Sequence, residues 1–505
     1  MKRLFYIIFL PCLAAILAVA VLFPQNNLVP SRMFLYMLVW AAILSGIKKI
    51  LEFVENRIKK TGIDILKISQ ISFIIYVILY GIALYLVSAA IRSDPITDYK
   101  EIYQTALRLA TGEEVSDWNY FSMWTNNLGA LTILTFLMRI GLVLGFSDVY
   151  YFLLGLNVLQ MMAVMASIYY LAGKISKKPD RVCINTSVQW FAVVLFTLWT
   201  PVWTGTTAFY TDQLSFGSSV IAIALLWYAA SDAREQKGRK WTCAILAGVI
   251  WGIGISAKVT SAIALVALVI LGSLFLVNYL KEYGHQLYKW RAKLLLFLVF
   301  TISLCLTFGG LYAYDQTYPS KADEYRLKMP AEYWIAMGLV GNGTYSDNAY
   351  LIRKCNYSQN IEERQQVCRK IIRDNLINIL DIDHMYKKTS IIFGSGDICP
   401  TSLQYPEQET FLWQLFYWEG AYYWKYTCTS TGFFNAVLLF MCIGCFVQAK
   451  WYKEDDFMFF CYLTVFGVFL FLMFWEAQNK QLFNHISWMT LAVVCSMERI
   501  KKKKD

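Results

Sequence analysis

Charge is scarce in this sequence, and that scarcity excludes more than any motif does. Of 505 residues, 16% are Asp, Glu, Lys or Arg and 57% are hydrophobic. One water-soluble core cannot hide so much apolar surface, so lipid is the solvent that fits this composition. Histidine is nearly absent: His285, His384 and His485 are scattered, which argues against a His-based metal site, and no metal or other cofactor is predicted. There are only 10 prolines, no Pro-rich or Gly/Ser-rich linker and no tandem repeat, so one membrane unit is expected. A small-residue cleavage site is missing too. The apolar stretch 4–23 follows Met1-Lys2-Arg3, runs into Pro24-Gln25-Asn26, and reads as a retained signal anchor.

What is present is a series of apolar stretches, each long enough to cross the roughly 30 Å hydrocarbon layer as a helix. They fall at 4–23, 33–51, 69–91, 149–173, 184–201, 214–230, 241–256, 259–279, 294–312, 432–449, 457–474 and 482–497. The expected fold is an all-α polytopic membrane protein of about twelve transmembrane helices. Basic clusters at Lys48/Lys49/Lys59/Lys60, Lys174/Lys177/Lys178/Arg181, Arg234/Lys237/Arg239/Lys240, Lys289/Arg291/Lys293, Lys450/Lys453 and Lys501 to Lys504 alternate with basic-poor turns. That alternation predicts a multi-pass cell-membrane protein with both termini cytoplasmic. The net charge of +11 is thus a topology signal, and no nucleic-acid partner is expected.

Four units follow: 1–68, two extra N-terminal helices and a cytoplasmic loop; 69–312, a core whose first outer loop is 92–148; 313–431, a large extracytoplasmic loop; and 432–505, the last helices and a basic tail. The stretch 128–146 is apolar enough to cross, but a crossing there would carry the Lys174–Arg181 cluster outside. Helices over 103–112 and 118–145 are therefore expected to lie on the outer face. The large loop holds a polar helical stretch at 361–379 and the aromatic run Phe411 to Trp418. Most of the 12 cysteines fall in apolar stretches, where the thiol acts as a small hydrophobe. Cys355, Cys368, Cys399 and Cys428 lie in the polar loop, and their pairing is open at this level.

Candidate chemistry sits at the outer ends of the helices. Asp94 and Asp98, in Ser93-Asp94-Pro95-Ile96-Thr97-Asp98-Tyr99, are carboxylates held at the membrane surface, where one can accept a proton from an acceptor hydroxyl. Asp98 leads into Tyr103, Ala106 and Gly112. Asp212 follows Pro201 in an outer segment without Lys or Arg, so a hydrogen-bonding or donor-site role is expected rather than an ion pair; a helix cap is the plain alternative. Gly248-x-x-x-Gly252-x-Gly254 runs to Lys258, a cation stranded between two apolar segments. Glu476 and Lys480 precede the last apolar stretch and could also simply pair four apart on a helix end.

In this order and at this face, these motifs resemble the GT-C glycosyltransferases, a superfamily that includes the protein O-mannosyltransferases and the bacterial enzyme that adds aminoarabinose to lipid A. The likeness runs from about Ser69 onward. Lys480-Gln481 stands where many relatives carry Arg-Tyr, and Lys cannot grip a phosphate bidentately. The resemblance implies a GT-C-like fold and inverting transfer of a sugar from a polyprenyl-phosphate donor to a glycan, lipid or protein acceptor. It implies Asp98 as the catalytic carboxylate, Asp94 as second choice, and Asp212, Lys258, Glu476, Lys480 and Tyr103 as donor-binding residues. Some relatives bind a divalent ion near that Asp. The alternatives are a polymerase or ligase of lipid-linked glycans, favoured by Arg364, Arg369 and Arg373, and a lipid-linked-sugar flippase or transporter.

Overall fold

The computed structural model describes residues 1–175, 185–231, 237–283, 291–398, 404–406 and 410–504, and these are helical almost throughout. Eleven helical segments among them are long and apolar enough to cross a membrane, so the architecture is that of an all-α integral membrane protein. The shorter apolar helix Thr186–Thr197 and the helix Ile486–Lys504 pack among them.

Contacts sort the helix ends into two groups. At one end Lys2 pairs with Glu454 (2.8 Å) and Asp456, the Arg3 guanidinium donates to the Ala449 carbonyl (3.1 Å), Lys48 pairs with Glu498 (2.8 Å), and the Ser187 N–H donates to Glu55 (2.8 Å). Side-chain caps start helices here: the Asp64 carboxylate accepts from the Leu66 and Lys67 N–H groups, and Asp455 accepts from Met458. At the other end Gln25 donates to the Gly394 carbonyl (2.9 Å), Met329 to Met123 (3.0 Å) and Ala477 to Gly343 (2.8 Å). By helix direction, Lys48, Lys59, Lys174, Arg239, Arg291 and Lys450 belong to the first, basic end, and loops 92–148 and 313–431 to the second, the loop end. Lys177, Lys178, Arg181, Arg234 and Lys289 lie outside the described residues.

The first loop begins and finishes at the same place. Arg92, just beyond helix Ile65–Ala90, pairs with Asp148, immediately before helix Val149–Ile175, and its guanidinium lies 4.4 Å from the Tyr150 ring. Helix Leu128–Val143, within a segment apolar and long enough to cross, is thereby part of an excursion that returns to the loop end. It packs there against helix Thr97–Thr111, with Arg139 donating to the Leu109 carbonyl (2.9 Å).

The glycines of 248–254 work by close approach. A Cβ on Gly248 would meet the Phe300 carbonyl at 2.6 Å, and one on Gly252 the Thr307 Cβ at 2.9 Å. Helix Lys237–Ala257 thus lies directly on Arg291–Asp315, the small-residue packing that lipid-embedded helices favour.

Several expected bounds shift. The helix expected over 184–201 ends at Thr197 and restarts as Thr200–Gly205. That over 214–230 is preceded by a separate turn, Thr211–Ser215. The outer stretch 118–145 breaks into Asn119–Met123, a turn at Thr125–Asn127 and Leu128–Val143. Helix Tyr423–Lys450 begins well before 432, which shortens the large loop and places Cys428 inside a helix. The remaining loop folds on itself: Glu332–Gly338, Ala349–Tyr357 and Ile361–Asn375 enclose a small core of Met329, Tyr333, Met337, Leu351, Cys355 and Cys368.

Candidate functional site

Helix Ile65–Ala90 delivers the chain to the loop end, where Ser93–Pro95 pairs as a short strand with Gln404–Pro406. Thr97 then adopts a left-handed φ of 51°, turning the backbone into helix Thr97–Thr111. Asp98 stands in the first turn of that helix, where the dipole favours a carboxylate. Its side chain is exposed. Tyr99, one residue on, is buried, and its hydroxyl accepts from the Phe209 N–H (3.0 Å). This bond ties the helix start to the segment entering Asp212.

Asp212 is fully buried and ion-paired to Lys258, which corrects the expectation of a carboxylate without a cationic partner. The partner comes from another loop, 46 residues away. Asp212 is also no helix cap: Tyr210 holds that position without a side-chain cap bond. The Lys480 ammonium lies over the Tyr210 ring (5.3 Å), beside the same turn. Glu476 is buried and accepts from the Gln478 amide. The chain is not helical at Glu476, so Glu476 and Lys480 are not a pair stacked along a helix end. Burial pushes the Glu476 carboxyl above its usual range; the charges of Lys480 and Lys258 pull it back, and that of Asp98 adds to the rise.

Two tyrosines complete the group. Tyr120 accepts from the Asn127 amide (2.7 Å); burial first, then the facing Asp98 carboxylate, hold its hydroxyl far above the ordinary range. Tyr345, from the large loop, is raised by burial and by the charges of Asp98 and Glu476. Asp98, Asp212, Lys258, Glu476 and Lys480 therefore face one another from four distant segments, with the large loop reaching over them. Three carboxylates, two cations and phenol hydroxyls gathered at one end of the bundle can orient a hydroxyl nucleophile and balance a departing phosphate. Gln213, beside Asp212, is buried with neither amide atom partnered among the described residues, as are Asp212 Oδ2 and Thr260 Oγ1. They are further polar groups able to hold a ligand or water.

Two expected site residues stand differently. Asp94 is exposed, on the strand opposite Tyr405. Tyr103 stacks on Phe209 (6.3 Å, 25°) and meets Tyr99 edge-on (5.9 Å), so its ring packs the first outer helix. Tyr120 and Tyr345 carried no local signal in an aromatic-rich chain. Gln213, an amide at the lip of an apolar stretch, did.

His384 Nδ1 lies 2.9 Å from the Gly341 carbonyl, and His485 is buried near Lys258. His285 and Cys399 lie outside the described residues. Cys442 and Cys445, which share a Cys-x-x-Cys spacing, sit inside helix Tyr423–Lys450. Among the described residues no three His, Cys, Asp or Glu side chains gather as a metal site would require.

Neither the curated proteins nor the solved structures contain a match to this chain. A family model described as "conserved hypothetical integral membrane protein" matches residues 1–378, most of the 505-residue chain, and the chain belongs to that family.

Proposed function

We propose that this integral membrane protein is a glycosyltransferase of the GT-C kind, moving a sugar from a polyprenyl-phosphate donor to a cell-envelope glycan, lipid or protein on the outer face. The observation that carries the reading is the convergence of Asp98, Glu476, Lys258 and Lys480 at the loop end. The positive-inside bias of the basic end supports an exterior loop end and cytoplasmic termini.

In the reaction, an acceptor hydroxyl gives its proton to Asp98 as its oxygen bonds the anomeric carbon. The bond from that carbon to the phosphate oxygen breaks on the opposite face, inverting the centre. The electron pair leaves on the lipid phosphate, whose charge Lys258 and Lys480 balance. The work is positioning and electrostatics, without a covalent nucleophile.

Two of the three arginines behind the ligase alternative serve the loop's own packing. The Arg364 guanidinium is engaged by the carbonyls of Cys355 (3.0 Å) and Ser358 (3.1 Å), and Arg369 by Glu332 (2.9 Å). A flippase would hold its ionisable groups at mid-bundle, whereas these gather at helix ends.

The test is transfer by the purified protein in lipid, offered radiolabelled polyprenyl-phosphate hexoses with membrane-extracted acceptor. Asp98→Asn should lower transfer by about 10²- to 10⁴-fold, the usual weight of a general base. Full transfer by that variant removes Asp98 from the mechanism, and no transfer by the wild type from any such donor removes the reading itself.

A further inference from the structure

Two cysteines meet in the core of the large loop. Cys355 stands in helix Ala349–Tyr357 and Cys368 in Ile361–Asn375, the arms of a helical hairpin turned at 358–360. Both are fully buried, and their sulfurs lie 3.9 Å apart. We infer that Cys355 and Cys368 are a modification site, joined as a disulfide in the mature protein by an oxidising thiol–disulfide exchange partner outside the membrane.

Of the three loop cysteines among the described residues, Cys355 and Cys368 are the pair the geometry selects. Cys428 is buried in helix Tyr423–Lys450. A metal is the other reason to bring two thiols together, but no third His, Cys, Asp or Glu joins them among the described residues. The exchange balances. The Cys355 thiolate attacks the partner's disulfide and releases one thiol; Cys368, losing its proton, attacks the mixed disulfide and releases the second. One protein disulfide forms, and the partner's disulfide becomes two thiols. Because both sulfurs are enclosed in the finished hairpin, the exchange belongs to folding.

The bond has a purpose in this loop. Helix Ile361–Asn375 is strongly polar and contributes little to a core of a few side chains, the situation in which small extracytoplasmic units use disulfides. The same core seats Tyr333 and Met337 of helix Glu332–Gly338, whose Trp334 stacks on Trp475 (5.7 Å, 3°), the residue before Glu476. The staple thus steadies the roof over the candidate site.

The inference rests on the outward placement of the loop, so its test measures both. Cells expressing the full chain are acid-quenched and denatured in N-ethylmaleimide without reductant, and the digested protein is examined by mass spectrometry. In parallel, Ile382→Cys, exposed in the same loop, is probed on intact cells with a membrane-impermeant maleimide. The expected result is a Cys355–Cys368 linked peptide and labelling at position 382. In addition, dithiothreitol should lower the melting temperature of the wild type by several degrees and leave Cys355→Ser unchanged. Both cysteines recovered as maleimide adducts overturn the disulfide. If position 382 is labelled, pairing alone fails and the proposed function stands; if it is shielded, the outward placement falls as well.

Discussion

At the Asp212–Lys258 pair, a stabilising role and a catalytic one predict different outcomes. Both side chains are largely withdrawn from solvent, at 0% and 12% exposure. Removing either partner strands a buried charge, which typically costs 3–5 kcal/mol. Asp212→Asn and Lys258→Met should therefore each lower the thermal stability of the purified protein markedly. The double variant should recover most of that loss, because the two costs share one cause. Sugar transfer should not recover with it, since Lys258 also balances the leaving phosphate in the proposed mechanism. A double variant that is both stable and active would leave the pair a structural feature only. This is also where the sequence was least legible. Asp212 and Lys258 were each visible as a polar residue at an apolar boundary, but a charge inventory of one outer segment cannot see a partner supplied by another. Tyr120 and Tyr345 were hidden for a related reason: only the fold turns them toward Asp98.

Elements meet the site through Lys388, a residue that no local pattern marked. It is fully buried in helix Ile382–Phe393. Its ammonium donates to the Gly338 carbonyl (2.5 Å) and the Met473 carbonyl (2.9 Å), at the C-terminal ends of helices Glu332–Gly338 and Asp456–Phe474. A cation suits two converging helix C-termini, and it fixes the second helix just before Glu476. Gly338 allows the approach: a Cβ there would stand 2.4 Å from the Trp475 carbonyl. Burial pushes the Lys388 ammonium down to about 7 from 10.5. Since the folded state binds that proton less tightly than the unfolded chain, the penalty of burying the charge is complete below pH 7 and is relieved as pH rises from about 7 toward 10.5. Lys388→Met leaves two carbonyls unpaired, about 1–3 kcal/mol each, but also removes the buried charge, so it should fall below the wild type in stability at pH 9, where the folded amine is neutral. The melting-temperature gap between the two should widen from pH 7 to pH 9, as the wild type alone gains from deprotonation. A gap that stays constant over that range would mean that Lys388 is not held in this way. The long helices themselves were legible because apolar length is their cause. Their interruptions were not: Thr186–Thr197 has only 12 residues, and its burial among neighbours supplies what its length does not.

For the whole molecule, the decisive question is which side each end faces, and the first outer loop answers half of it. Hydropathy alone makes 125–143 a crossing; the charge pattern makes it an excursion. The Arg92–Asp148 pair joins the start of that loop to its finish, and the twelve-helix path then keeps Lys174, Arg239, Arg291 and Lys450 at one end. Had helix Leu128–Val143 crossed, every later helix would be reversed relative to the first three, and the Lys2 contacts with Glu454 and Asp456 would have to span the bilayer. The path therefore predicts paired accessibilities. Cysteines placed at Glu113 and Ser147, exposed residues on either side of that helix, should both react with a membrane-impermeant maleimide on intact cells, above the wild-type background. A cysteine at Gly238, exposed at the basic end, should react only after the membrane is opened. Labelling of position 113 without 147 would make Leu128–Val143 a true crossing. Labelling of 238 alone would invert the molecule and carry Asp98, with any chemistry it performs, to the cytoplasmic face.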